Sequence, residues 1–142
     1  MDIAIVGATG NVGRKTLEVL QQKNLNIDNL YLVASPNSAG KQLEFNGKKY
    51  SIENLETYDF SKAKITFFAA GGKISEQYAE KAAKHTTVID NSSYFRMDPD
   101  VPLIVPQVNA KDIQNMKKNI IANPNCSTAQ LVLVLKPLHD LF

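Results

Sequence analysis

Apolar residues along the chain fall in short runs separated by stretches of helical periodicity. Ile3-Ala4-Ile5-Val6 has no polar break and predicts a strand buried on both faces. A glycine-rich turn follows, after which Val12, Thr16, Val19 and Leu20 fall near one face of a helix. Leu30 to Ala34 reads as the second strand. Between Leu43 and Ile52, Asn46-Gly47 lies between apolar flanks and signals a hairpin. Ile65 to Ala70 predicts another buried strand, closed by Gly71-Gly72, and Ile74 to Lys84 a helix. Thr87 to Ile89 predicts a short strand that ends in Asp90-Asn91-Ser92-Ser93. Beyond a stretch holding Pro99, Pro102 and Pro106, Asn109 is expected to cap a short helix from Ala110 to Met116. Ile120 to Ala122 is one more buried strand, and Ser127 to Leu138 a helix that Pro137 is expected to kink or close. This β-α-β order predicts an α/β fold, a doubly wound parallel sheet with helices on both faces, with Ile3–Val6 and Ile65–Ala69 at its centre.

Composition removes several classes of function. Lys plus Arg is 16 and Asp plus Glu 14, a net +2, which argues against a dedicated nucleic-acid binder. With 44% hydrophobic and 21% charged residues, the chain is rich enough in apolar side chains to fold rather than stay disordered. Its longest apolar run, Leu131 to Leu135, is far short of the ~20 residues a membrane-spanning helix needs. The N-terminus enters a strand-like run directly, without the pattern of a secretory signal. A single cysteine, Cys126, excludes an internal disulfide and a multi-Cys metal site, so no metal is expected and a reducing, cytoplasmic compartment fits.

Three segments carry candidate chemistry. Gly7-Ala8-Thr9-Gly10-Asn11-Val12-Gly13 lies directly after a strand and directly before a helix, the context in which a glycine fingerprint marks a Rossmann-type dinucleotide site. Gly7 permits the turn, Gly10 lets backbone approach a pyrophosphate, Gly13 allows close helix packing, and the helix N-terminus offers N–H groups to phosphate. After Ala34 comes Ser35-Pro36-Asn37-Ser38-Ala39-Gly40-Lys41, with no carboxylate to read a ribose 2′-hydroxyl, which favours NADP over NAD. Cys126 lies in Asn123-Pro124-Asn125-Cys126-Ser127-Thr128, a turn from strand to helix. The positive end of the helix favours a thiolate there, and the strand ends of one sheet edge share a cleft, so thiol and dinucleotide turn are expected to face each other. A thiolate beside a nicotinamide suggests aldehyde oxidation or its reverse through a thioester; a buried, inert cysteine is the alternative. Arg96 follows a strand end and is suited to phosphate or carboxylate, against a plain surface pairing with Asp98 or Asp100. His85 reads as a surface or helix-end residue, and His139, thirteen residues past Cys126, does not reach the thiol as its base.

Taken together, these segments resemble the aspartate-β-semialdehyde dehydrogenases. The likeness runs in order through the glycine turn, Ser38-Ala39-Gly40-Lys41, Ala70-Gly71-Gly72, Asp90-Asn91-Ser92-Ser93, Phe95-Arg96-Met97-Asp98-Pro99-Asp100-Val101-Pro102-Leu103, Val105-Pro106-Gln107-Val108-Asn109 and Asn123-Pro124-Asn125-Cys126-Ser127-Thr128. It implies NADPH-linked reduction of L-aspartyl 4-phosphate to the semialdehyde with release of phosphate, on the route to lysine, methionine and threonine. By the same resemblance Cys126 is the nucleophile. Gly7, Thr9, Gly10, Asn11, Val12, Gly13, Ser35, Ser38, Ala39, Gly71 and Gly72 bind NADP, and Arg96 with Asn91 takes the substrate phosphate.

Two departures qualify it. Many members carry an arginine where Asn37 stands, which weakens the case for NADP. The family's chains are also more than twice this length. Residues 1–142 are therefore expected to form the NAD(P)-binding domain with the nucleophile, without the catalytic and dimerisation domain that holds the base, the substrate-carboxylate arginine and the main surface of the family's homodimer. Such a chain is expected to alkylate at Cys126, to expose apolar surface and to be inactive alone. The remaining alternatives are an N-acetyl-glutamyl-phosphate reductase-like enzyme, against which Phe95-Arg96-Met97-Asp98 argues, a stand-alone dinucleotide-binding or interaction module, and a short-chain epimerase-like fold. The last needs a Tyr-x-x-x-Lys pair in a helix. Expected partners are small molecules, with neither nucleic acid nor membrane.

Overall fold

The computed structural model describes residues 1–142. In chain order the main elements are β1 (Asp2–Val6), α1 (Asn11–Gln22), β2 (Asn29–Ala34), β3 (Gln42–Phe45), β4 (Lys48–Asn54), β5 (Ile65–Phe68), α2 (Gly72–Ala83), β6 (Thr87–Asp90), α3 (Pro106–Asn109), β7 (Ile120–Ala122) and α4 (Cys126–Leu141). The seven strands form one sheet in the order β3-β4-β2-β1-β5-β6-β7, parallel except for the β3–β4 hairpin. β1 is the middle strand and β5 its neighbour, as the unbroken apolar runs predict. The hairpin turn is Asn46-Gly47, both at positive φ, which matches the right-handed twist of the flanking strands.

Alternation along β1 builds two cores. Ile3 and Ile5 pack with Leu17 and Leu20 of α1, and Ala4 and Val6 point to the other face with Ala79 and Ala82 of α2. All four β1 side chains are fully buried, so the sheet is covered on both sides by helices that return right-handedly from strand to parallel strand. Coverage is uneven. Under α2, Phe68, Val88 and Ile120 are fully buried. On the α1 face Phe67, Ile89 and Ile121 stand in register across β5, β6 and β7 and are only half-buried.

Three local expectations differ from the structure. Val12, Thr16 and Val19 do share a face of α1 with Leu20, but it lines an open groove of about 500 Å³ beside Phe67 and Ile89. The helix instead buries Gly13, Leu17 and Leu20 against the sheet. A helix does follow Asn109, as the 3-10 stretch Ala110–Asn115, but the Asn109 side chain does not cap it. That side chain turns back, accepting from Val105 N at 2.9 Å and donating to Leu103 O at 2.9 Å, and a separate short helix, α3, begins earlier, at Pro106. Pro at the first helical position has no N–H to leave unpaired. Pro137 does not end α4, which runs on to Leu141. No residue of α4 is buried, and Leu131, Val134, Leu135 and Leu138 lie on its surface.

Candidate active site

The turn after β1 is shaped by where a side chain does not fit. Gly7 has φ +86°, and a Cβ there would lie 2.7 Å from the Ala69 carbonyl oxygen. A Cβ on Gly13 would lie 2.2 Å from the Gly7 carbonyl oxygen, so α1 approaches the turn to backbone contact. Gly10 is different. A Cβ there meets only Gly7 O at 3.4 Å and Ala69 O at 4.0 Å, and its φ of −75° suits any residue. The chain's own packing explains Gly7 and Gly13 but not Gly10. A bare Gly10 fits a group outside the chain that approaches the backbone, as a pyrophosphate does.

That backbone faces a cavity of about 360 Å³ lined by Gly7, Thr9, Gly10 and Ser35, with Leu55 and Ile74 as its apolar wall. Neither Leu55 nor Ile74 was singled out from sequence; each follows a strand or opens a helix whose end position alone brings it there. Ser35 precedes a 3-10 turn, Pro36–Ser38, closed by Ser38 N donating to Ser35 O at 2.9 Å. Ser38 and Ala39 lie on that turn, outside the cavity lining. Gly71, at φ +86°, leads into α2 and shares a smaller recess with Val12, Asn91 and Ser92, while Asn11 opens α1. This recess joins the glycine turn to the end of β6.

At the β6 and β7 ends the site is held by side chains. Arg96 donates from Nε to Asn123 O at 3.0 Å and from Nη2 to Asn91 O at 3.1 Å. Asn123 Nδ2 donates to Asn91 Oδ1 at 2.8 Å, so two loops are tied twice. The surface pairing considered for Arg96 is absent, because Asp98 pairs with Lys118 and Asp100 with Lys117. A guanidinium has five N–H donors; two are spent here and three remain for an anion. Beneath the cluster, Asp90 is fully buried with no cationic partner. It accepts from Ser75 Oγ of α2 at 2.8 Å, Ser92 N at 2.9 Å and Ser92 Oγ at 2.7 Å, and its carbonyl accepts from Asn123 N at 2.8 Å. Asp90, Ser75 and Asn123 were missed from sequence. The signal that was present is a carboxylate at the end of an otherwise apolar strand, on the face that α2 covers.

Cys126 is exposed and opens α4. Asn125 caps the helix: its Oδ1 accepts from Ser127 N at 2.9 Å and Ser127 Oγ at 2.5 Å, and lies 3.9 Å from Cys126 Sγ. Because β1, β6 and β7 are parallel, Gly10, Asn91, Arg96 and Cys126 all stand at the carboxyl edge of the sheet. Neither histidine joins them. His139 lies thirteen residues along α4, about 20 Å at the helical rise, and His85 follows the end of α2, where β6 begins. Tyr58 and Lys62 are four residues apart, but no α-helix carries them: Lys62 ends the 3-10 turn Phe60–Lys62, and Tyr58 precedes it. The phenol is buried without a partner, and Lys62 Nζ sits 5.5 Å over its ring, so no epimerase-type pair is formed. Among the described residues no group of His, Cys, Asp and Glu is arranged to hold a metal.

This arrangement joins a turn stripped of side chains, an arginine with donors to spare and an exposed thiol at a helix start. The chain that carries it is similar to known proteins. Residues 2–116 match the family model described as semialdehyde dehydrogenase, NAD binding domain. An aspartate-semialdehyde dehydrogenase of Aquifex aeolicus is 53% identical over 97% of the chain, which spans 42% of that relative. A solved structure of aspartate semialdehyde dehydrogenase II complexed with ASA from Vibrio cholerae superposes with a TM-score of 0.95 at 49% identity, over 98% of this chain and 46% of that one. Aspartate semialdehyde dehydrogenase with NADP from Candida albicans superposes with a TM-score of 0.76 at 27% identity, over 99% of this chain and 47% of that one. The chain thus spans less than half the length of these relatives. By the match over most of its residues, it belongs to the semialdehyde dehydrogenase family, of which it carries the NAD binding domain.

Proposed function

We propose that this chain is the cofactor-binding and nucleophile-bearing part of an NADPH-dependent aspartate-semialdehyde dehydrogenase, acting on L-aspartyl 4-phosphate. The observation that carries the reading is the meeting, at one sheet edge, of Cys126 at the start of α4 with Arg96 and the bare Gly10 backbone. The names of its relatives support the substrate, and the NADP in the Candida albicans structure supports the cofactor.

In this reading Gly7, Gly10, Asn11, Val12 and Gly13 receive the pyrophosphate. Thr9, Ser35, Ser38 and Ala39 lie toward the adenosine end, and Gly71 and Gly72 toward the nicotinamide. Arg96 and Asn91 hold the substrate phosphate. Cys126 Sγ attacks the acyl carbonyl: a C–S bond forms, the C–O bond to phosphate breaks, and phosphate leaves with the bonding pair beside the Arg96 guanidinium. When bound, NADPH supplies the hydride that reduces the acyl group. The C–S bond then breaks, the electron pair returns to Sγ, and the aldehyde departs. Asn125 fixes the first turn of α4 throughout, holding Sγ in place. An exposed thiol nucleophile fits a reducing, cytoplasmic setting, and the apolar surface of α4 fits a face against which the remainder of such an enzyme packs.

The test is acylation. Aspartyl phosphate mixed with the chain is expected to release about one phosphate per Cys126 and to leave a hydroxylamine-labile aspartyl adduct on that residue, absent in C126S. An intact thiol that iodoacetamide labels but the acyl phosphate does not would overturn the proposal.

A further inference from the structure

The loop between β2 and β3, Ser35-Pro36-Asn37-Ser38-Ala39-Gly40-Lys41, contains no carboxylate, and its one cation, Lys41, stands at its last position, next to β3. Its Pro36–Ser38 turn, where a ribose 2′-phosphate would lie in the dinucleotide reading, has no charge of its own. Arg14 reaches the glycine turn. Its Nε donates to Thr9 O at 3.0 Å, and Thr9 and Ser35 line the same cavity. Arg14 belongs to the first turn of α1, its N donating to Gly10 O, where helical side chains lean toward the N-terminus and so toward the glycine turn. On its other side it borders a groove with Leu43 and Glu44 of β3, the strand entered directly after the loop. Arg14 therefore borders the glycine turn on one side and β3 on the other, next to the Thr9–Ser35 cavity without lining it.

Arg14 makes no ion pair. Glu18, one turn along the helix, is taken by Lys15 at 2.7 Å and Gln22 at 3.1 Å. One of the five N–H groups of Arg14 is spent on Thr9, so its planar Nη edge is unspent, and that edge matches a phosphomonoester. We infer that Arg14 is the specificity-determining residue that receives the 2′-phosphate of NADP, from α1 rather than from the loop after β2. This rests on the reading of the glycine turn as the dinucleotide site.

Calorimetric titration of the 142-residue chain with NADP and with NAD tests it, in the parent, R14Q and R14K. Arg14 is exposed, so its replacement leaves the core untouched, and matching thermal midpoints check this. R14Q is expected to weaken NADP binding about ten-fold or more, the lower end of what a charge-assisted hydrogen bond gives, and to leave NAD within about two-fold. R14K, which keeps the charge without the fork, is expected to fall between. An equal loss for both dinucleotides would make Arg14 only the anchor of the Thr9 carbonyl and overturn the inference, as would NADP binding that R14Q leaves unchanged. A parent chain that binds neither dinucleotide would overturn the dinucleotide reading itself and this assignment with it.

Discussion

The two halves of the site are built by opposite means. At the end of β1, the site is shaped by what is missing: side chains are absent at Gly7, Gly10 and Gly13, and bare backbone faces a cavity. At the ends of β6 and β7, function comes from side chains that bind one another. Arg96, Asn91 and Asn123 are cross-tied, and the buried Asp90 joins them to α2. The first half is rigid because nothing else fits at Gly7 and Gly13, so an atom added there damages it. The second is rigid because its side chains are tied to one another, so a removed atom damages it.

The largest effect expected from this contrast is at Gly13. In G13A the new Cβ lies 2.2 Å from the Gly7 carbonyl oxygen and 2.8 Å from Ala8 Cα, both backbone atoms that cannot swing aside. Urea unfolding is expected to show a loss of about 3 kcal/mol, the upper end of overpacking costs. G10A is the control that sharpens it. Its Cβ has ordinary contacts, so stability should fall by no more than about 1 kcal/mol, the scale of a changed N-cap, while dinucleotide binding is lost. Equal destabilisation by both substitutions would remove the distinction between a packing glycine and a binding glycine.

Next comes R96A, which subtracts. It leaves the carbonyls of Asn91 and Asn123 without their donor, at about 1–2 kcal/mol for half-buried acceptors. Inorganic phosphate, expected to slow iodoacetamide labelling of Cys126 in the parent chain, should give no protection in R96A. R96K should recover little of it, since a lysine places one point charge where the fork bridges two loops and an anion. Undiminished phosphate protection in R96A would separate the anion site from Arg96.

The same contrast explains what could be read from the sequence. The glycine half was legible because its constraint is local. Spacing within seven residues, set between a strand and a helix, fixes the turn, and the coordinates bear out the reasons given for Gly7 and Gly13. The strands were legible for a similar reason, since runs such as Ile3–Val6 carry their burial in their own composition. The network half was not. Arg96 meets Asn123 across 27 positions and Ser75 meets Asp90 across 15, and no periodicity reports such pairs. The open face of α1 shows a third case. The periodicity of Val12, Thr16 and Val19 is real, but whether an apolar face is covered depends on how far its neighbours extend along the sheet.

A smaller effect is expected at Asn125, where the network reaches the nucleophile. N125A removes the oxygen that accepts from Ser127 N and Ser127 Oγ, and costs about 1 kcal/mol of helix stability. Since no residue of α4 is buried, packing does not mask that loss. Hydrogen exchange of the first-turn amides of α4 should quicken in N125A, and amides of β1 should not change. Unchanged exchange at Ser127 would mean that the cap does not hold the turn carrying Cys126.

The smallest effect is a pH dependence, and it concerns a second tie between the same segments. Asp98, two residues past Arg96, accepts from Lys118 Nζ at 2.9 Å and from Asp100 N at 2.9 Å, joining the Arg96 loop to the approach to β7. The Lys118 hydrogen bond, then that from the Asp100 amide, holds the Asp98 carboxyl below the usual carboxylate range. Lys118 is correspondingly held above the usual ammonium range, by Asp98 first and Glu80 second. For a carboxylate whose folded value is depressed, the unfolded chain binds the proton first. Its stabilisation is therefore full above about pH 4, the unfolded value, and is lost as pH falls through the lower folded value. For Lys118 the sign reverses: its part is full below about pH 10 and is lost only as pH rises through the raised value, so it stays constant across the acid range. Both groups keep contact with water, which makes the tie a weak one. D98N should thus lie slightly below the parent in stability at pH 7 and converge on it near pH 2. A gap between D98N and parent that stayed constant from pH 7 to pH 2 would show that Asp98 acts by shape, as the glycine half does, and not by charge.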